Sequence, residues 1–472
     1  MQTGWNWIKT HIMDILIWGV AAFFTLLYVS LIFNQNIWTD EAFTLQLVQG
    51  NLKEIVEGTA NDVHPPLYYF YSKLFYDITG GSLQVQKLLT IIPQTGTLLL
   101  IAIVFRKKFG DVAAFLSLLF FSCIPCTMEF AVQVRMYSLS LFFVTLCGIY
   151  AYEAYMENTK KSWLWVIVGA LGAAYSHYFA FVSIIVIVGF LFLVIIFTKR
   201  TLLKNWLISA GCMIVGYLPW MRYFIEQVTR VRESYWIPEI TLEVIWSYFT
   251  WTFDLVLLPG VVYIFIVLLV LAGIICAVRL IRNREQGDIV AIFAMLVPTV
   301  TAILGIVISM TKSPIYRDQY IFPSLMLLGV SFGLAFRKLN WKLIIPVCAF
   351  FLLVGAVQYK ECYRQEYKST YIDKTLAFFE ENVGEDDIVL YNMEAMDFIY
   401  ELYFPDVEMH YIQDFDLSSD FETVWFLNTF NHWPITQLDL INNGLTMDFM
   451  GLYGIEHNEF DLYKVYHVEQ NE

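Results

Sequence analysis

The stretch NIWTDEAFTLQL, residues 36–47, sets Asp40 and Glu41 side by side a few residues after a long apolar run has ended. Two adjacent carboxylates supply what group transfer to a hydroxyl needs: a base that takes the proton, and a neighbour that orients it, binds a cation or raises its partner's pKa. The pair equally suits the start of a helix over 41–49, where negative charge favours the positive helix end. Further along stand His64 in HPPLYYF, Glu129, Gln133, Arg135 and Tyr137 in EFAVQVRMY, His177 in YSHYF, Arg222, and Arg317 and Tyr320 in YRDQY. Ionisable groups at membrane depth are costly and mark a substrate site or ion path by default. Arg135 and Arg317 suit a phosphate, because guanidinium is permanently charged and forms forked hydrogen bonds; snorkelling to the surface is their alternative. His64 also suits the opening of an interfacial helix before Pro65 and Pro66, and His177 an interfacial histidine held by its neighbours.

All of these residues sit at the ends of apolar spans. The chain is 58% hydrophobic and only 15% charged, against about 25% charged in soluble domains, which points to a polytopic membrane protein. Stretches of about 20 apolar residues, enough to cross a bilayer as helix, are predicted near 13–33, 83–105, 111–131, 136–156, 163–178, 179–198, 203–221, 261–281, 288–310, 320–336 and 341–358, eleven in all. Basic residues are retained on the cytoplasmic side of short loops. Arg106 to Lys108, Lys160 and Lys161, Lys199 to Lys204, Arg279 to Arg284 and Arg337 to Lys342 mark every second connection. The N-terminus is therefore expected in the cytoplasm of a multi-pass cell-membrane protein, with the Asp40–Glu41 loop and the C-terminal region outside.

The charge is divided unevenly. Residues 361–472 hold 24 Asp and Glu against 4 Lys and Arg, a net −20, which leaves +6 on residues 1–360. Two domains are expected: a transmembrane module over 1–358, with outer loops at 34–82 and 222–260, and an acidic extracytoplasmic α/β domain over 359–472. In the first outer loop EAFTLQLV and LKEIVEGT read as short amphipathic helices, and HPPLYYFYSKLFYDI as an aromatic helix opened by prolines. In the C-terminal domain TLAFFEENV, AMDFIYELYF and PITQLDLI read as helices, and DIVLY, VEMHYI, TVWFLN and FDLYKVYHV as strands. Six of the seven cysteines lie in apolar spans, so no disulfide framework is expected, and no nucleic-acid partner is.

Taken in order, WTDEAFT, HPPLYYF, VRMYSLSLFF, YSHYFA, LPW, YW and QYIFPSLMLL, each at the outer end of its span, resemble the bacterial members of the GT-C glycosyltransferase superfamily. The likeness is to the glycosyltransferase family 39 type, related to protein O-mannosyltransferases and lipid A aminoarabinose transferases. The resemblance implies an inverting membrane transferase that takes a sugar from a polyprenyl-phosphate donor on the outer face, surrounded by membrane lipids. By it, Asp40 looks like the catalytic carboxylate of the first outer loop, supported by Glu41. Arg135 and Tyr137 look like the family's Arg-x-Tyr, and His64, His177, Arg317 and Tyr320 are further candidates for the donor phosphate or substrate. The chain departs from the family pattern at Gln133, where Glu often stands, and at Gln319, where a basic residue is usual. A divalent cation is admitted rather than required, with Glu41 and Glu129 as its candidate ligands. The acceptor, a protein, glycan, wall polymer or lipid, is not readable from the sequence. The alternative is a transporter or lipid flippase whose path is lined by the same charges; inverted repeats and broken midplane helices, common in such folds, are not found.

Overall fold

The computed structural model describes residues 2–33, 37–233, 237, 239–283, 285–367, 370–384, 387–393, 396–418, 421, 423–429, 440, 442–455 and 458–467. Their contacts divide into two compact units: residues 1–32 with 50–362, and residues 33–49 with 363–472. The sequence reading kept the Asp40–Glu41 loop with the membrane module; the contacts group it with the C-terminal unit.

The first unit is helical. Its elements are α1 (Gln2–Ser30), then, beyond the short helix α2 (Thr39–Leu47) of the other unit, α3 (Leu52–Asn61), α4 (Leu67–Thr79) and α5 (Leu83–Leu99). A π-helical turn over Leu100–Phe105 leads into α6 (Arg106–Phe109), followed by α7 (Asp111–Ser122), α8 (Thr127–Val132), α9 (Tyr137–Glu157), α10 (Lys160–Ala174), α11 (Tyr178–Thr198) and α12 (Leu203–Glu233). The series ends with α13 (Leu242–Phe253), α14 (Val261–Asn283), α15 (Gln286–Thr311), a 3-10 segment over Asp318–Ser324, α16 (Leu325–Phe336) and α17 (Trp341–Tyr367). Nine candidate spans among the described residues are long and apolar enough to cross a membrane. The remaining two of the eleven expected segments form shorter helices: 111–131 breaks at Cys123–Cys126, with Pro125 in the turn, into α7 and α8, and 163–178 falls mostly in the 15-residue α10, which ends at Ala174, while Tyr178 already opens α11. The result is a multi-pass membrane protein.

Glycines let these helices meet closely. A Cβ on Gly333 of α16 would stand 2.1 Å from Ser117 Oγ and 2.3 Å from the Ala113 carbonyl oxygen of α7. One on Gly169 of α10 would stand 2.8 Å from the Cys147 nitrogen of α9. Small residues at helix contacts supply packing where lipid removes the hydrophobic drive for helices to associate.

The basic residues gather at one end of this unit. Arg106 pairs with Asp111 at 2.7 Å and with Asp14, Lys108 pairs with Glu157, and Arg337 pairs with Asp288 and Glu285, both at 2.8 Å. Helices α9 and α16 end there and begin at the opposite end, where the candidate residues lie.

The second unit is an α/β domain. Helix α18 (Thr370–Asn382) precedes β1 (Ile388–Tyr391), α19 (Asp397–Tyr403), β2 (Glu408–Tyr411), β3 (Thr423–Thr429), β4 (Leu445–Ile455) and β5 (Asn458–His467). The sheet order is β2-β1-β3-β5-β4; β1 runs parallel to β2 and β3, while β5 is antiparallel to β3 and β4. Leu390, Ile412, Val424, Phe426, Leu445 and Val465 form its buried core. The sequence reading missed β4, whose alternation is broken by a bulge between Phe449 and Gly451; Gly451 takes φ +142°, a conformation open to glycine. The helix read in PITQLDLI lies, except for Leu440, outside the described residues.

Candidate functional site

In the first unit, five of the expected residues come together. Helix α8 is only six residues long and ends where Gln133 turns extended, so residues 133–136 form a bend and Arg135 stands on it rather than within a helix. Tyr137 then opens α9. Arg135 is 2% exposed, and its Nη1 donates to Tyr69 Oη of α4 at 3.2 Å. His177 is also 2% exposed and caps α11: its Nδ1 accepts from the Phe179 backbone N–H at 3.1 Å. An accepting Nδ1 leaves the ring proton on Nε2.

Around His177 stand the rings of Tyr320 at 5.0 Å, Tyr137 at 5.5 Å and His64 at 6.1 Å. Phe130 stacks on Phe322 at 4.7 Å and meets Tyr137 edge-on, while Phe179 stacks on Tyr320 at 5.0 Å. These aromatic walls fix the rotamers of the polar groups between them.

His64 Nδ1 pairs with Asp62 Oδ2 at 2.7 Å. The turn carrying both is held from behind by Gln227, whose Nε2 donates to the carbonyls of Thr59 at 2.7 Å and Asp62 at 2.9 Å, and by Arg230, which donates to Asp62 O at 2.6 Å. Burial alone would raise the Asp62 carboxyl, but its pair with His64, helped by the Arg135 charge, holds it at about 2, so it is ionised. Burial, then the neighbouring His64 and Arg135, push the His177 imidazole well below the usual histidine range, so it is neutral at pH 7. One end of the unit thus presents a buried guanidinium, a neutral histidine able to donate from Nε2, a His–Asp pair and three tyrosines.

The remaining candidates stand as follows. Arg317 pairs with Asp318 at 3.5 Å, three residues before Tyr320. Glu129 lies in the first turn of α8, and Arg222 makes an exposed pair with Glu226 along α12 at 2.8 Å. In the second unit, Asp40 and Glu41 occupy the first turn of α2. Asp40 is exposed, whereas Glu41 is buried, with its Oε2 accepting from the Trp38 backbone N–H at 2.8 Å. The helix-start reading therefore holds for both carboxylates, of which Asp40 is the exposed one. Among the described residues no three His, Cys, Asp or Glu side chains gather as a metal-ligand set.

Three residues of interest escaped the sequence reading: Asp62, Tyr69 and Lys87. Lys87 is a 1% exposed cation within α5. Its signal was available as a lone lysine near the start of an apolar span, and that of Asp62 as an acid two residues before His64.

With this geometry stand the likenesses to known proteins. Residues 63–223 match the family described as dolichyl-phosphate-mannose-protein mannosyltransferase. Two structures of ArnT from Cupriavidus metallidurans, one bound to undecaprenyl phosphate and one in the apo state, match with TM-scores of 0.62 and 0.60 at 12% identity, each over 98% of this chain and 98% of that one. The chain shares the fold of these ArnT structures. Arabinofuranosyltransferase AftD from Mycobacteria matches at TM-score 0.51 and 11% identity, over 96% of this chain and 40% of its own. No curated protein matches by sequence.

Proposed function

We propose that this protein is a membrane glycosyltransferase that moves a sugar from a polyprenyl-phosphate donor to an acceptor hydroxyl on the outer face of the membrane, with inversion. The observation that carries the reading is the convergence of Arg135, Tyr137, His177, Tyr320 and the His64–Asp62 pair at one end of a GT-C-fold helical unit, opposite its ion-paired basic end. A transport path would call for polar groups distributed through the depth of the membrane. The structural likeness supports the donor class: one of the ArnT structures is bound to undecaprenyl phosphate.

In the reaction, Asp40 takes the proton of the acceptor hydroxyl as that oxygen attacks the anomeric carbon. The bond from that carbon to the phosphate oxygen breaks on the opposite face, and polyprenyl phosphate leaves. Arg135 stabilises the charge growing on the phosphate oxygens, where preorganised donors contribute most. Neutral His177 and the His64–Asp62 pair supply further donors, and Arg317 is a second cation for the phosphate. Aromatic walls hold the polyprenyl chain, so no nucleotide-binding fold is needed. The N-terminus and the basic connections lie in the cytoplasm.

The test is the anomeric configuration of the product made by purified protein from a labelled polyprenyl-phosphate monosaccharide. Single displacement predicts inversion. A retained configuration contradicts the mechanism, and donor movement across a vesicle without cleavage favours transport instead.

A further inference from the structure

Helix α2 is nine residues long, and isolated helices shorter than about 12–15 residues are marginal in water. What orders it is tertiary contact, and that contact is with α19, more than 350 residues away. Thr39 Oγ1 donates to Met396 Sδ at 3.7 Å, the Phe43 ring meets Phe398 edge-on at 5.3 Å between centroids, and Gln46 Nε2 donates to Glu401. Positions 39, 43 and 46 recur at helical spacing and form one face of α2. Asp40 follows Thr39 by one residue, about 100° further round the helix, and is exposed.

Helix α19 is itself fixed to the centre of the sheet. Tyr391 Oη of β1 donates to Asp397 Oδ1 at 2.7 Å, and buried Tyr400 shares a 2.9 Å hydrogen bond with Thr429 Oγ1 at the end of β3. Met396 and Ile399 are buried beside them. A continuous series of contacts thus runs from two central strands through α19 to the helix that carries Asp40 and Glu41.

We infer that the acidic C-terminal domain is the positioning device for Asp40, with Phe398, Met396 and Glu401 as positioning residues that set the direction in which the carboxylate leaves α2. The inference rests on the reading of Asp40 as the base. A base must meet its proton at about 2.6–3.2 Å, and a misplacement of about 1 Å can cost 10²-fold in rate. The domain is therefore required for turnover even if it never touches the sugar.

The test uses the full-length protein in lipid, with Phe398→Ala and Phe398→Leu beside wild type. Two quantities are read: steady-state sugar transfer, and hydrogen exchange of the α2 amides over residues 39–47. Phe398→Ala is expected to lower kcat by about 10-fold to 10²-fold, to leave KM for the polyprenyl donor within about twofold, and to speed exchange in α2 but not in the strands β1 and β3. Phe398→Leu, which refills the contact, restores most of both. Wild-type kcat with unchanged α2 exchange in Phe398→Ala overturns the inference, as does a loss expressed in donor KM alone. Full activity in Asp40→Asn removes the base on which the inference rests, while the exchange data still report whether α19 holds α2.

Discussion

The two regions that carry candidate chemistry are built in opposite ways. In the helical unit Arg135 and His177 are each 2% exposed, enclosed by stacked aromatic rings and by backbone hydrogen bonds to a bend and a helix cap. In the other unit, Asp40 stands exposed on a nine-residue helix gripped along one face by residues more than 350 positions away. The buried group suits a task that does not change between substrates, stabilising charge on a phosphate, because its dipoles need no reorganisation. The exposed carboxylate suits a task that needs access, meeting an acceptor hydroxyl. Buried donors are thus packed among the helices, whereas the exposed carboxylate rides on a helix held by the α/β domain.

That contrast is open to attack from both sides. The largest effect is expected at Asp40: Asp40→Asn keeps shape and removes basicity, so transfer should fall about 10³-fold, within the usual range for a general base, while thermal unfolding stays at the wild-type midpoint. Arg135→Lys keeps the charge and loses the forked geometry; kcat should fall about 10²-fold, as when one preorganised donor is lost. If Asp40→Asn and Arg135→Lys both transfer normally, neither region has the role assigned to it.

Smaller effects sharpen the difference in rigidity. Gly333→Val must displace Ser117 and the α7 backbone and should destabilise the helical unit by about 2–3 kcal/mol. Differential scanning in lipid or detergent should show the lower transition, with β-sheet amide exchange unchanged. The least effect concerns the Asp62–His64 pair. The Asp62 carboxyl is held at about 2, against 3.8 when unfolded, so on acidification the unfolded chain binds its proton first. Its contribution is complete above about pH 4 and is lost as pH falls through about 2; for a side chain 31% exposed this amounts to about 1 kcal/mol. Asp62→Asn should flatten that part of a stability-against-pH curve. An unchanged curve would remove the pair as a charged element.

Much of this was legible in the sequence because the signals were local. Apolar length marked the spans, and proline and alternation marked α4, β1 and β3. The spacing of VRMY placed Arg135 just ahead of Tyr137, although the bend that carries Arg135 was not foreseen. Residues 111–131 read as a continuous span because composition does not reveal that Cys123–Cys126 turns. The attachment of α2 to α19 was invisible for a different reason: Thr39 and Met396 lie 357 residues apart, and no local pattern encodes such a pairing. Gly451 hid β4 by breaking its alternation.

The proposed function turns on cleavage of a polyprenyl-phosphate sugar with the help of Asp40. The direct measurement is release of free polyprenyl phosphate from a panel of polyprenyl-phosphate monosaccharides by purified protein in lipid, with candidate acceptors and divalent cations present, run beside Asp40→Asn. Release from one donor by the wild type, lost in the variant, is expected. Folded wild-type protein that cleaves none of them, or a variant that cleaves as fast as wild type, would contradict it.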